Sequence, residues 1–390
     1  MSTTFTGIDG VTTYRVDLDD PPLVQGGEKA IHPVKNHAGE GLCAAVFHAR
    51  PVDKRVALKL ETLLCLRLDP RKFVAIEDLL IDSTDGRCHG YVMHWRPDAI
   101  PLSLCRPETL WARVELMRQV AEIFAACDRM AAPSVVMTDP KADGFIELPD
   151  GTVLMVDVDS LALCGTGVRD PDDPSELIEV LPGGPGTDGY RSPERLLFPE
   201  STPVRGDAHF ALAVIMFELV AGFHPSAMVG APCKLRTLDE RVASGLFVPF
   251  LDDPEAAMGG GKVPRYDPAW KELPAEFREF FRNALLCAPG DRPTAEKWCS
   301  YLTNLPRRHC PPPPPPPPPP PSLPLPAPPP VDTPPHPPRA RVWPPAALAL
   351  AVALAGALAA WWVLVRTPAT IEQIPDPVVP AVFPATPLKE

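Results

Sequence analysis

Eleven consecutive prolines, residues 311 to 321, set the tightest limit on what this chain can fold into. Proline lacks an amide hydrogen and fixes φ, so neither a helix nor a sheet ladder can run through the tract. What remains is polyproline II at about 3.1 Å per residue, a stiff rod of roughly 34 Å. The last 85 of the 390 residues hold 29 of the 56 prolines, so a packed core has to come from residues 1 to about 305. Residues 306–341 are expected to be a disordered linker: a spacer, or, at 311–338, a docking site for a proline-reading domain.

Beyond the linker the composition reverses. Residues 346 to 365, "AALALAVALAGALAAWWVLV", are an uncharged apolar run of 20, long enough to cross a hydrocarbon core of about 30 Å. The expectation is one transmembrane helix over 342–365 in the plasma (inner) membrane. Arg339 and Arg341, with Arg307 and Arg308 further back, outnumber Arg366 on the other side. The positive-inside rule then keeps the bulk of the chain cytoplasmic and places a short tail, 366–390, outside. The N-terminus has neither a basic start nor an apolar core, so it does not read as a signal peptide. Residues 1 to 305 carry a formal charge of −14 with no basic stripe, which argues against nucleic acid as a partner. The ten cysteines are scattered without a CxxC pair, as expected of unbridged thiols in a reducing compartment.

Residues 107 to 130 begin with proline and repeat apolar side chains at Leu110, Val114, Met117, Val120, Ala121 and Phe124, the period of an amphipathic helix. The stretch "PSVVMTDPKADGFIELPDGTVLMVDVDSLAL" follows as short strands separated by polar turns. Its strand ends present Asp139 and Asp157, with Lys141 two residues beyond the first.

Here the chain resembles the protein kinases, in particular a bacterial branch of Ser/Thr kinases. "MTDPKADG" stands where that family has "HRDLKPEN", and "VDVDS" stands for "IDFG". "GTDGYRSPE", the helix "DAHFALAVIMFELVAGFHP" and "APGDRPTAEKW" then follow in the family's order. The resemblance covers residues 14 to 304. It implies an α+β, two-lobed protein kinase fold, with a small β-rich lobe over about 14–95 and a larger helical lobe over about 96–304. It further implies ATP and magnesium as cofactors, a protein substrate or partner, Asp139 as catalytic base, Lys141 on the transferring phosphoryl and Asp157 on the metal. Glu194, Asp207 and Arg292 take structural roles, Arg292 as the ion-pair partner of Glu194.

Several positions depart from the family's pattern. Thr138 stands at the arginine before the catalytic aspartate, which argues against switching by loop phosphorylation. The second metal ligand falls on Gly144, with Asp143 beside it as a substitute. Asp159 replaces a glycine, and its charge either recruits a cation or repels nucleotide.

The lysine that should grip ATP has more than one candidate. "VALK", ending at Lys59, looks like the expected strand, but "LETLLCLRLD" is then too short for the helix before Pro70. From Asp53, apolar residues at Val56, Ala57, Leu60, Leu63, Leu64 and Leu68 mark a helix with a capping aspartate. On that reading "VALK" is a helix surface and Glu61 is the helix glutamate. The third strand is then residues 42 to 49, Val46 takes the lysine's position, and Gly26 and Gly27 tip the glycine-rich loop. In the competing reading Gly39 and Gly41 form the loop and Lys59 is the ATP lysine; in a third, Lys29 or Lys59 reaches the phosphates from an unusual direction. Two functions remain open: a membrane-anchored Ser/Thr-type kinase, and a catalytically impaired pseudokinase scaffold.

Overall fold

The computed structural model describes residues 2–309, apart from 38, 40, 231–234, 236 and 258–260. The expected span 342–365, the tail 366–390 and the linker beyond 309 lie outside the described residues. Among the described residues no helix is long and apolar enough to cross a membrane.

The first part of the chain is a seven-stranded antiparallel sheet built from β1 (Ser2–Thr6), β2 (Thr13–Asp17), β3 (Val24–Gln25), β4 (Lys29–Pro33), β5 (Leu42–Phe47), β6 (Asp78–Asp82) and β7 (Cys88–His94). Its order is β2-β1-β6-β7-β5-β4-β3. The sheet curls: Val16 on the edge strand β2 bridges Val34 just beyond β4. The enclosed face buries Phe5, Tyr14, Val16, Val34, Ala44, Val46, Leu80 and Val92 in a small core of their own. β1 pairs with both β2 and β6, so the sheet starts upstream of the expected residue 14.

Helix α1 (Lys54–Cys65) interrupts the strands, and Asp53 caps it by accepting from the Arg55 amide. Lys59 lies inside this helix, not on a strand. The period had an explanation, since Leu60 and Leu63 enter the main core. β6 and β7 form the hairpin expected from the Asp-Gly pair, with Gly86 at φ 68°.

The rest is mostly helical. β8 (Ile100–Pro101) precedes α2 (Leu110–Arg129), whose apolar stripe is buried, and then come β9 (Ser134–Met137), β10 (Phe145–Glu147), β11 (Val153–Met155), β12 (Leu161–Cys164) and β13 (Val180–Leu181). β10 pairs with β11 and β8, and β12 pairs with β9 and β13. The chain continues through α3 (Pro193–Leu197), α4 (Arg205–Ala221), α5 (Leu238–Ala243), α6 (Pro254–Ala257), α7 (Pro268–Glu272), α8 (Ala275–Leu286) and α9 (Ala295–His309). α4 is apolar nearly all round and buried nearly all round, against α2 and α8. α9 runs through Pro306 to His309, past the expected start of the linker. The fold is thus α+β, with an N-terminal curled antiparallel sheet and helices after it.

Candidate functional site

Alternation along two neighbouring strands decides which side chains reach the space below the sheet. On β5, Cys43 and Ala45 join the main core while Ala44 and Val46 join the enclosed one. Val46 therefore points away from the site, and the ladder pairs it with Ala30. Lys29, paired with Phe47, has the opposite parity and points in. It follows the turn at Gly26 and Gly27, where the Gly26 amide donates to the Lys29 carbonyl at 3.0 Å. A cation thus enters the space below the sheet from β4, the strand next to β5.

The Lys29 ammonium lies 2.8 Å from Asp157 Oδ1 and 2.6 Å from Asp159 Oδ1. Both carboxylates leave a short turn after β11 in which the Ser160 amide and hydroxyl both donate to the Asp157 carbonyl, at 3.0 and 2.6 Å. Asp159 is 6% exposed and also accepts from the Tyr91 hydroxyl at 2.7 Å. Its negative charge has recruited a cation, Lys29. Lys59, expected on the helix surface, is instead 7% exposed and donates to the carbonyls of Asp159 and Pro182, each at 2.7 Å. At about 100° per residue, position 59 lies about 40° beyond Leu63 at the edge of the buried stripe, and a long amphipathic stem can be buried there. Glu61 is exposed on the same helix.

Burial by itself would depress the Lys29 amine, but Asp159 and Asp157 outweigh it and hold it above the ordinary lysine value. Burial dominates at Lys59 and sets its amine below the ordinary value despite Asp159. Burial, reinforced by the neighbouring carboxylates, pushes the Tyr91 phenol well above its usual range. Two ammonium groups and two carboxylates thus share one largely buried cluster, in which each charge has hydrogen-bond partners.

A second cluster lies beside the first. Asp139 Oδ1 accepts from the Thr187 hydroxyl at 2.6 Å, while Lys141 sits 3.4 Å from Asp139 Oδ2 and 3.2 Å from Thr187 Oγ1. The stretch Pro182–Pro185 packs directly on this aspartate. A Cβ on Gly184 would lie 2.9 Å from Asp139 Cβ, and one on Gly183 would collide with Thr138 and Ser160. Lys29, Lys59, Asp157 and Asp159 of the first cluster and Asp139 of the second line a cavity of about 200 Å³ together with Glu28 and Phe47.

A larger cavity of about 320 Å³ opens on the other side of Lys29. Val24, Ile31, Val74, Met93 and Val156 give it apolar walls, Gly26 and Lys29 lie along one side, and the end of β7 with Trp95 forms the rim. That is the size and lining of a small-molecule site. Asp143 and Asp157 share its wall. Asp157 is 28% exposed, and Lys29 takes only its Oδ1. Asp143 is exposed and accepts from the Ser103 hydroxyl. Gly144 faces Asp157, with a Cβ position 3.9 Å from Asp157 Cβ, and brings no ligand oxygen. Two carboxylates on one cavity wall fit a magnesium ion, which takes one or two protein carboxylates and leaves its other positions to phosphate and water.

The remaining three expected residues tie the helical part together. Arg292 donates to both Glu194 oxygens at 2.9 and 2.8 Å and to the Gly206 carbonyl. Arg292 is 2% exposed while the Glu194 side chain is 37% exposed, so one buried guanidinium nitrogen holds both oxygens of a partly open carboxylate. Asp207, near the start of α4, accepts from the Ser192 hydroxyl at 2.6 Å and from the Val204 amide. Sequence reasoning missed Thr187 and Tyr91. Thr187 was visible inside "GTDGYRSPE" but carried no role there; Tyr91 had no signal beyond lying on an apolar strand. No family model and no curated protein sequence matches the chain.

Proposed function

We propose that the protein is a membrane-anchored Ser/Thr-type protein kinase of the two-lobed fold, transferring the γ-phosphoryl of ATP to a protein hydroxyl. The observation that carries this reading is the Lys29–Asp157–Asp159 cluster between a nucleotide-sized cavity and the Asp139–Lys141–Thr187 set. Lys29, not Lys59 or a residue at position 46, is the amine that holds the ATP phosphates. Asp157, with Asp143, would hold magnesium, which neutralises charge on the phosphates when bound. Asp139 is aimed by Thr187 and accepts the proton of the attacking hydroxyl as the new O–P bond forms and the bond to ADP breaks. Lys141 lies where it offsets charge building on the transferring group. The apolar run 346–365 supports anchorage, with residues 342–365 as the span.

The full chain should release ADP and label a protein acceptor with magnesium present, and Asp139→Asn and Lys29→Met should each lower turnover at least a hundredfold. Turnover unaffected by Asp139→Asn would overturn the assignment. A second reading, a pseudokinase scaffold, is favoured by one observation: Gly144 leaves the second metal position without a side-chain oxygen. Saturable ATP binding, lost in Lys29→Met, with no turnover under any divalent metal would select it.

A further inference from the structure

Helix α1 carries three cations in its first six residues, Lys54, Arg55 and Lys59, and no acidic side chain in its first turn. A helix N-terminus already has a partial positive charge, so this placement is unfavourable for the helix alone. Beyond the Asp53 cap, the partners of these cations come from a single stretch of chain. Lys54 Nζ lies 2.6 Å from Asp172 Oδ1, Arg55 pairs with Asp170, and Lys59 donates to the carbonyls of Asp159 and Pro182. All four partners lie between Asp157, one of the two carboxylates of the proposed metal site, and Thr187, the residue that aims Asp139.

The acidic stretch "RDPDDPSE", residues 169–176, is folded on itself. Arg169 bridges Leu177, the Asp170 amide donates to the Glu176 carbonyl, and Arg169 donates to the Pro174 carbonyl. Asp170 Oδ1 accepts from the Asp172 amide, and its other oxygen takes Arg55. The three contacts differ in weight. Lys54 and Asp172 are 59% and 61% exposed, so that pair adds little. Asp170 is 5% exposed against a half-exposed Arg55, and Lys59 is buried, so these two carry the attachment.

We propose that α1 is an electrostatic latch: Arg55 and Lys59, assisted by Lys54, hold the segment from Asp157 to Thr187 in its working position, so the site is assembled without covalent modification of that segment. Arg55 and Asp170 are positioning residues that act through Lys59 and the backbone of Asp159. Thr138, next to Asp139, offers no cation that could read a phosphate on the segment, and the cations of α1 already have partners there. The catalytic consequence rests on the kinase reading above, whereas the attachment itself does not.

The test is a double-mutant cycle in the full chain with Arg55→Ala and Asp170→Asn, the latter keeping the oxygen that accepts the Asp172 amide. Amide hydrogen exchange is followed at Ala57–Leu64 and at Asp159–Ser160, alongside phosphoryl transfer. Each single change should speed exchange at both places about fivefold, and the double should be no worse than either single. Arg55→Lys should recover most of the loss, and about 0.5 M salt should bring the wild type towards the variants. Turnover should fall by a similar factor. Exchange unchanged in the singles, additive effects in the double, or Arg55→Lys as poor as Arg55→Ala would each overturn the latch. If the wild type neither binds ATP nor turns it over, the kinase reading fails while the exchange cycle still decides the latch.

Discussion

Lys29 is the residue on which the site's charge balance turns. Without it, two carboxylates, one of them 6% exposed, face each other without a cation between them. Breaking a buried pair by removing one partner costs about 3 kcal/mol, more than deleting both partners. Lys29→Met should therefore lower unfolding stability by roughly that amount, and adding Asp159→Asn should restore part of it; denaturant titration measures both. Equal losses in the single and double variants would show that the pair is not coupled. Val46 gives the opposite expectation. It lies in the enclosed core of the curled sheet, so Val46→Ala should cost about 1 to 2 kcal/mol of stability while leaving ATP affinity unchanged. Weakened binding in a stably folded Val46→Ala protein would return that position to the site.

Among the elements, α4 and the loop after it set up two opposed titrations. His224 donates from one ring nitrogen to the Gly189 carbonyl at 3.0 Å and accepts the Ser226 amide on the other at 3.1 Å, an arrangement that suits only the neutral ring. Burial lowers it to about 4 from 6.5, so the unfolded chain takes the proton first and stability is lost as pH falls from 6.5 through 4. Glu218 behaves oppositely: burial raises it to about 7 from 4.5, so its stabilising contribution is full below pH 4.5 and is lost as pH rises through 7. Each is worth about 3 kcal/mol by the size of its shift, and over the same window they largely cancel. Glu218→Gln keeps an acceptor for the Tyr190 hydroxyl, 2.7 Å away in the native site, but removes one arm. The variant should be about 2 to 3 kcal/mol more stable than wild type at pH 7.5, and should lose stability steeply between pH 6.5 and 4 where the wild type stays nearly flat. Parallel curves for the two proteins would contradict this account.

At the scale of the whole molecule, the proline tract separates two kinds of chain. Among the described residues the core lies within 2–309, and the proposed anchor follows the proline-rich linker in the sequence. Deleting 342–365 should release the protein from carbonate-washed membranes and leave ATP affinity within about twofold, because the described residues lining both cavities lie between 24 and 185. Carbonate-resistant association of the deletion variant would place the anchor elsewhere.

The kinase resemblance implied the Glu194–Arg292 pair, and the sequence by itself determined the helices α1 and α2 and the β6–β7 hairpin. Those follow from local signals: proline content, the 3.6 and 2.0 periods, a capping aspartate before α1, and an Asp-Gly turn between β6 and β7. Asp139, Lys141 and Asp157 were legible because short motifs carry them at fixed spacing. Tertiary structure alone decided that Lys29 meets Asp157 and Asp159 across nearly 130 residues. It also turned Val46 to the other face and buried Lys59 against the Asp159 carbonyl. The physical reason is that these depend on strand parity and long-range register, where a one-residue slip reverses every side chain and the local sequence barely changes.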